Sequence, residues 1–387
     1  MSAPAIEIVP VSGPLNFLAF CKLPRIIYGD QKQFVPPLDV DRWGLFSRKF
    51  NPHFRRVNSQ LWLARKNGKL AGRIFAQLYD AACRPRAASH AQFGCLDAID
   101  DDDVVAALTQ TAEEWLRQHG ATKVQGPFSP SINNESGLLV AGFDELSMIA
   151  VPWHPAYLGA CLERQGYAKV RDLISYRYDV SEIDKAAASG IIARPQWRKR
   201  INLREIDIKH LKQEAKTIVE IFNDAWSENW GFVPFTLEEF VADTEALKLV
   251  APSSRGFMKG GVMVEVDGMP QAFALFLPNL HEIMGDLQGR LFPFGLVRLI
   301  ARVRRHGYKS GRLALLGIRG AMQGKMAAGV VILAIIAELR RRSQVTPLQR
   351  AEFGWVLEDN FGMRRPIELA GGRVYKVHRI YEKNLAA

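Results

Sequence analysis

The sequence predicts an α/β fold made of two similar units in tandem, each a mixed, mostly antiparallel sheet flanked by helices. Two observations support this prediction. The order β-hairpin, strand, helix occurs twice along the chain, and the ends of the two copies align residue by residue at a constant offset. The length of 387 residues is sufficient for two domains.

Each unit begins with a predicted β-hairpin. Apolar runs containing β-branched residues flank Asn67-Gly68 in the first unit and Asp267-Gly268 in the second. Asn-Gly and Asp-Gly favour the primed turns whose twist matches that of two paired strands. A strand and a helix follow each hairpin, and we predict them at 93–98 and 104–119, and at 312–318 and 327–342.

The ends of the two units match at a single offset of 205 residues. Leu162, Glu163, Gly166 and Tyr176 correspond to Ile367, Glu368, Gly371 and Tyr381. This alignment favours a duplicated unit, and chance similarity of two α/β segments is the alternative. We expect a degenerate first domain over 1–180, a basic linker over 181–204 and a ligand-binding second domain over 205–387.

Composition excludes several classes of protein. With 48% hydrophobic and 24% charged residues, the chain is not disordered. Its four cysteines show no Cys-x-x-Cys pattern and its histidines show no ligand spacing, so we expect reduced thiols and no metal. The N-terminus lacks a secretion signal, and the longest strongly apolar run, 327–337, is about half a membrane span. These features predict a cytoplasmic protein.

The positive charge predicts an anionic ligand. The net charge is +11, of which residues 181–387 carry +9, and no acid occurs between Leu287 and Ala337. Phosphates bind where a strand leads into a helix, because the first turn of the helix has free N–H groups. In the first unit that junction carries the four carboxylates Asp100–Asp103, whereas in the second it is the glycine-rich, basic stretch 317–328. Nucleic acid is disfavoured because no recognition signature is present.

This arrangement resembles the GNAT superfamily of N-acyltransferases, with two GNAT-like units in tandem. The resemblance implies acyl-CoA as co-substrate, with its pyrophosphate on Gln323–Ala328, although Met326 departs from the family pattern Gln/Arg-x-x-Gly-x-Gly/Ala. Asn360 follows the counterpart of the fifth strand and would face the cofactor, but Ile367 replaces the tyrosine that serves many relatives as general acid. The implied cofactor-binding residues are Leu316, Gly317, Ile318, Arg319, Gln323, Gly324, Lys325, Ala328 and Asn360.

Two further stretches narrow the resemblance. Gly126–Val140 and Asn223–Pro234 are similar to segments of a tandem-GNAT group that includes the bacterial ceramide synthases. This implies transfer of a long-chain acyl group from acyl-CoA to the amine of a sphingoid base, either sphinganine or 3-ketosphinganine. From the chemistry of their side chains, Glu135 and His281 are candidates to accept the proton of the attacking amine, with Asn134 orienting it. The candidate acceptor-binding residues are Asn133, Asn223, Trp226, Asn229, Trp230 and Phe232. Alternatively, the side chains of Asn133–Glu135 form turns and cap a helix, and the tryptophans pack in a core.

The segment 291–306 predicts a basic amphipathic helix, which suits either an anionic membrane surface or a solvated face of the domain. The protein would then be cytoplasmic with a peripheral contact at the inner membrane. Three other functions stay open at this point. They are a tandem-GNAT enzyme acting on another amine or a peptide, a transferase using aminoacyl-tRNA, and a non-catalytic lipid-binding protein.

Overall fold

The computed structural model describes residues 5–181, 197, 199–207, 210–245, 261–305, 308–343 and 348–385. The strands are β1 Ile6–Pro10, β2 Val57–Lys66, β3 Lys69–Tyr79, β4 Ala91–Ala98, β5 Lys123–Gly126, β6 Phe128–Ser129, β7 Glu135–Ser136, β8 Leu138–Ala141, β9 Ala168–Asp179, β10 Ile201–Glu205, β11 Gly261–Val266, β12 Met269–Pro278, β13 Ser310–Ile318, β14 Arg350–Leu357 and β15 Arg373–Asn384. The α-helices are α1 Gly13–Tyr28, α2 Asp39–Phe46, α3 Asp102–Gln118, α4 Tyr157–Arg164, α5 Leu211–Trp226, α6 Leu237–Glu245, α7 His281–Met284, α8 Gly295–Arg304, α9 Met326–Ser343 and α10 Phe361–Leu369.

One large sheet runs through both halves of the chain, in the order β1-β2-β3-β4-β5-β15-β9-β14-β13-β12-β11-β10. The last strand of each half lies in the other half. β9 pairs with β14, and β15 pairs with β5 and β8. β9 and β15 also pair with each other at the centre of the sheet. The two halves are therefore joined by an exchange of strands.

The exchanged strands carry equivalent side-chain contacts, as a duplicated unit requires. The Tyr381 hydroxyl donates to Glu163 at 3.3 Å, and the Tyr176 hydroxyl donates to Glu368 at 2.7 Å. Each tyrosine thus contacts the helix of the opposite half, and the four residues are related by the offset read from the sequence. The fold prediction of two similar units is confirmed.

Alternating residues of the strands bury opposite faces of the sheet. In the first half, Trp62 and Ala64 pack with α3, whereas Leu61 and Leu63 pack with α1. The second half repeats this pattern, with α9 on one face and α5 on the other. Helices therefore cover both faces, and loops at the strand ends are left to form binding sites.

Local turn chemistry gives the hairpins that the sequence predicts. Asn67 and Gly68 have φ of 51° and 77°, and Asp267 and Gly268 have φ of 53° and 78°. These positive values are those that a primed turn needs.

Helix α8 is shorter than the predicted 291–306. The boundaries of the two domains stay a prediction, and 182–196 and 198 of the proposed linker lie outside the described residues.

Candidate active site

A cleft opens between β13 and β14, which run parallel. Ser310–Leu313 pairs with Arg350–Phe353, and the strands diverge beyond these residues. A bulge in the pairing of β12 with β13 leaves Ala314 without a partner across the ladder. The resulting cleft has a volume of about 250 Å³. Because the strands separate, backbone groups of β13 near Ala314 are available to a ligand.

The cleft ends at the loop before α9. The Gln323 side-chain amide donates to the carbonyls of Ala225 and Ile318, at 2.9 Å each, and so fixes this loop to α5 and β13. The Asp224 carboxylate accepts the Gly320 N–H at 2.7 Å. The first turn of α9 then presents free N–H groups and the positive end of the helix dipole, which favour an anion.

Six of the nine predicted cofactor-binding residues line this cleft, namely Leu316, Ile318, Gln323, Gly324, Ala328 and Asn360. Asn360 caps α10 by accepting the Met363 N–H at 3.2 Å. Gly317 instead packs against the Phe273 ring, Arg319 donates to the Pro270 carbonyl, and Lys325 is exposed beside the loop. Ile367 also lines the cleft and is buried.

The corresponding gap in the first half is closed by its own chain. β4 and β5 pair in parallel only at Gln92 and Gln125. The segment after β5 fills the space between them, since Ser129 accepts the Cys95 N–H at 2.9 Å and a Cβ on Gly94 would lie 1.6 Å from the Phe128 carbonyl oxygen. The two halves thus share a topology but differ in access for a ligand.

A second cavity, which we call the central cavity, lies between the two halves and has a volume of about 570 Å³. Most of its walls are apolar and come from α5, α6, α8, β12 and β13. Members of this wall are Phe222, Trp226, Trp230, Phe232, Phe235, Phe240, Leu275, Leu277, Leu296, Leu299 and Ile300. Five residues line both the central cavity and the cleft, namely Trp226, Asn229, Ala314, Trp355 and Leu357. A ligand in the cleft and a ligand in the cavity would therefore meet here.

Aromatic contacts fix this meeting point. The Trp226 indole N–H donates to the Leu316 carbonyl at 3.1 Å. Its ring stacks on Phe222 and meets the Trp355 ring edge-on, with centroids 5.5 and 6.1 Å apart. Among the other predicted acceptor-binding residues, Asn133, Asn229, Trp230 and Phe232 line the cavity. Asn223 is bonded twice to the backbone of Phe235 and serves to position the chain after α5.

Glu135 is held in a paired arrangement with Arg42 at the edge of the central cavity. The Arg42 guanidinium donates two hydrogen bonds to the carboxylate, at 2.8 and 2.5 Å. Burial alone would raise the pKa of Glu135, but Arg42 and Arg73 hold it below its usual value. A carboxylate held in this way is a weak base.

Asn134 leads to a different carboxylate. Its side-chain amide donates to Asp243 at 3.3 Å and accepts from the Ser131 hydroxyl at 2.8 Å. Asp243 lines the central cavity, and desolvation there, together with the charge of Glu239, raises its pKa to about 7. A carboxylate with this pKa is suited to accept a proton near neutral pH.

His281 lies apart from the cleft, in a smaller chamber beside the central cavity. Its Nδ1 is 2.8 Å from the Ser147 hydroxyl. Burial lowers the pKa of His281 to about 4, so the imidazole is neutral at pH 7. The three predicted catalytic residues are thus spread over two adjoining cavities rather than gathered at one point.

Buried histidines should make stability depend on pH. The pKa of His281 falls from 6.5 to about 4 on burial, and that of His378 falls to about 3. The folded chain then binds fewer protons than the unfolded chain between pH 4 and 6.5. The free energy of unfolding should therefore rise with pH across this window, by up to ~1.4 kcal/mol per pH unit for each histidine.

Urea unfolding of His281→Gln between pH 4 and 6.5 measures this contribution. The variant should show a shallower rise than the unmodified chain. Equal slopes for the two proteins would contradict the assignment.

No cluster of three or more His, Cys, Asp or Glu side chains suited to a metal occurs among the described residues. Within the same parts of the chain, no helix combines the length and apolar character needed to cross a bilayer.

A scan of family models finds no match to the chain. The chain is 37% identical to protein YghO of Escherichia coli strain K12 over 368 residues, which are 95% of this chain and 92% of that protein. It is 35% identical over 392 residues to the bacterial ceramide synthase of Caulobacter vibrioides, with 98% of both chains covered. The chain belongs to the bacterial ceramide synthase family.

Solved structures with a similar fold agree with the fold predicted from this sequence. A tandem GNAT protein from the clavulanic acid biosynthesis pathway matches with a TM-score of 0.58 and 14% identity, covering 99% of both chains. A GCN5-related N-acetyltransferase from Sphaerobacter thermophilus matches with a TM-score of 0.52 and 14% identity, covering 99% of this chain and 96% of that one. The prediction of a tandem-GNAT acyltransferase of the ceramide synthase family is confirmed.

Three residues of the candidate site in this ceramide synthase family member were not predicted from the sequence. Arg42 lies 93 positions before its partner Glu135, so no local spacing connects them. Asp243 is one of several acids on α6, and only the fold shows that it faces the central cavity. The apolar sequence around Ala314 does not mark the bulge there, because a bulge depends on the pairing with the partner strand.

Proposed function

We propose that the protein transfers a long-chain acyl group from acyl-CoA to the amine of a sphingoid base. The observation that carries this proposal is the junction of the cleft with the central cavity at Trp226, Ala314 and Trp355. An acyl transferase for lipids needs a channel for a phosphate-bearing donor that opens into an apolar space for alkyl chains. The bacterial ceramide synthase of Caulobacter vibrioides, at 35% identity, supports the same acceptor class.

The donor would extend along the cleft. Its pyrophosphate would lie at the first turn of α9, where helix N–H groups and Lys325 provide positive charge. The pantetheine arm would pass between β13 and β14, with Asn360 at its side. The thioester would then reach the bulge at Ala314, and the acyl chain would continue into the central cavity. CoA itself supplies the activated thioester for this chemistry.

Amide formation needs a neutral amine and a stabilised oxyanion. Backbone N–H groups beside the bulge at Ala314 are suited to the oxyanion, because the bulge takes them out of the strand ladder. The nitrogen attacks the thioester carbon, the carbon–sulfur bond breaks and the amine loses a proton. Asp243 is suited to accept that proton, directly or through water. Glu135 and His281 stay as the candidate bases predicted from the sequence.

A thiol-release assay with purified protein and palmitoyl-CoA tests the proposal. Sphinganine, 3-ketosphinganine and a short-chain amine serve as acceptors, and mass spectrometry identifies the lipid product. We expect N-acylated product from the long-chain bases and little from the short amine. Turnover of the short amine alone would instead indicate an N-acyltransferase for small amines.

We also propose that α8 brings the enzyme to an anionic membrane. Phe292, Phe294 and Val297 are 78, 67 and 67% exposed, and they lie beside the exposed Arg298. The opposite side of the helix lines the central cavity through Leu296, Leu299 and Ile300. A lipid surface would thus lie directly outside the cavity wall.

Vesicle flotation measures this contact. The double variant Phe292→Ser/Phe294→Ser should bind anionic vesicles at least about tenfold more weakly, because each phenylalanine contributes about 1.5 to 3 kcal/mol when buried. Met269→Ser, which removes an exposed apolar side chain from the β11–β12 hairpin, should bind like the unmodified protein. Equal flotation of both variants would exclude the proposed surface.

A further inference from the structure

The chamber that contains His281 has a volume of about 140 Å³ and adjoins the central cavity. We call it the side chamber. It shares Arg42, Glu135 and Ile149 with the central cavity, among other residues. One guanidinium connects it to the cleft, since Arg312 donates to the Ile149 carbonyl at 2.8 Å and to the Gly354 carbonyl at 2.8 and 3.1 Å. The side chamber therefore lies within the reach of one arginine side chain from the cleft.

The charges around the side chamber are balanced. The lining contains four cationic and four acidic side chains, namely Lys22, Arg25, Arg42 and Arg73 with Asp39, Asp41, Asp97 and Glu135. Three ion pairs join six of them. Arg25 meets Asp39 at 3.1 Å, Arg42 meets Glu135 at 2.5 Å and Arg73 meets Asp97 at 2.8 Å. A lining without net charge favours an uncharged group over a phosphate or a carboxylate.

Its remaining hydrogen-bonding groups include donors from Arg42 and His154. Nε of Arg42 is buried without a hydrogen-bond partner. Nδ1 of His154 accepts the Leu139 N–H at 3.3 Å, so its Nε2 carries the proton. The Ser147 hydroxyl accepts the Val35 N–H at 3.2 Å and lies 2.8 Å from Nδ1 of His281. Burial lowers the pKa of both histidines, so both imidazoles are neutral near pH 7.

We propose that the side chamber binds the small, uncharged head of the acceptor, through the hydroxyl or keto oxygens next to its amine. This inference rests on the proposed acyl transfer and specifies the acceptor as a long-chain amino alcohol or amino ketone. The alkyl chain stays in the central cavity, because the side chamber is small and its lining is charged. Arg42 and His154 supply donors, the neutral ring of His281 supplies a further polar contact, and Arg42 positions the head relative to the cleft.

Acceptors of equal chain length test this assignment with the full-length protein. We would measure kcat/KM with palmitoyl-CoA for sphinganine, octadecylamine and sphinganine 1-phosphate. Sphinganine should be preferred over octadecylamine at least about tenfold, since each lost hydrogen bond costs up to about tenfold. Sphinganine 1-phosphate should be a poorer acceptor than sphinganine.

His281→Leu should reduce the preference for sphinganine, and His281→Gln, which keeps a donor at a similar place, should restore much of it. His210→Leu, at an exposed histidine, should keep the full preference.

A binding measurement without acyl-CoA separates this inference from the proposed function. Sphinganine should raise the melting temperature of the protein more than octadecylamine does, and His281→Leu should remove the difference. That result without turnover of any amine would keep the side chamber and reject the acyl transfer. Turnover of sphinganine and octadecylamine at equal kcat/KM would overturn the side-chamber assignment and keep the acyl transfer. Equal stabilisation by both amines, with no effect of His281→Leu, would also overturn it.

Discussion

Replacing Ala314 with phenylalanine is expected to lower kcat/KM for acyl transfer by about 100-fold or more. Ala314 lies at the bulge of β13 and lines both the cleft and the central cavity. A phenyl ring at this point would fill the passage between them and displace the thioester from the backbone N–H groups. Displacement of a reacting group by about 1 Å can cost 10²-fold in rate. Steady-state assays with palmitoyl-CoA and sphinganine measure the effect.

The matched control for this prediction is Ala82→Phe, which introduces the same ring at an exposed position of the first half. Both variants should keep their secondary structure by circular dichroism, because Ala314 is only half-buried and faces open space. Full activity of Ala314→Phe together with a native spectrum would place the reaction elsewhere.

Arg312→Met should cost about 3 to 5 kcal/mol of unfolding free energy, the typical cost of breaking a buried ion pair from one side. Arg312 and Glu352 are 4 and 2% exposed, and the nearest nitrogen and oxygen are 3.2 Å apart. The same guanidinium donates to the carbonyls of Ile149 in the first half and Gly354 in the second. Its loss would leave two carbonyls without their donor and a buried carboxylate without its counter-ion, with only the Tyr375 hydroxyl, among the described residues, still donating to that carboxylate. Urea unfolding measures the change.

Two further variants separate the buried charge from a general effect of losing an arginine. Arg312→Met/Glu352→Gln should be more stable than Arg312→Met, because the second change removes the unpaired charge. Arg200→Met breaks an exposed pair with Asp267 and should cost under about 1 kcal/mol. A similarly small cost for Arg312→Met would contradict the stabilising role assigned to this buried arginine.

Much of the fold could be predicted because its signals are local. Turn residues such as Asn67-Gly68 and the apolar periodicity of each strand and helix act within a few residues. The exchange of β9 and β15 could not be predicted in this way. The residue pattern of each of these strands would suit pairing with either half of the chain. The choice of partner depends on contacts between residues about 200 positions apart.

The candidate site likewise combines features that a local segment encodes with features that depend on distant segments. The loop Gln323–Ala328 is contiguous, so its glycine and its basic residue could be read directly from the sequence. The pairing of Glu135 with Arg42 and the position of Asp243 on the cavity wall depend on distant segments. The proposed donor loop therefore has a local signal in the sequence, whereas the proposed surroundings of the acceptor depend on the folded chain.

The most direct test of the central claim is a crystal structure of the full chain with a non-reactive thioether analogue of palmitoyl-CoA. The account predicts one analogue per chain, with its pyrophosphate at the first turn of α9, its pantetheine between β13 and β14, and its alkyl chain in the central cavity. An analogue bound between β4 and β5, or one whose alkyl chain lies outside the central cavity, would contradict it.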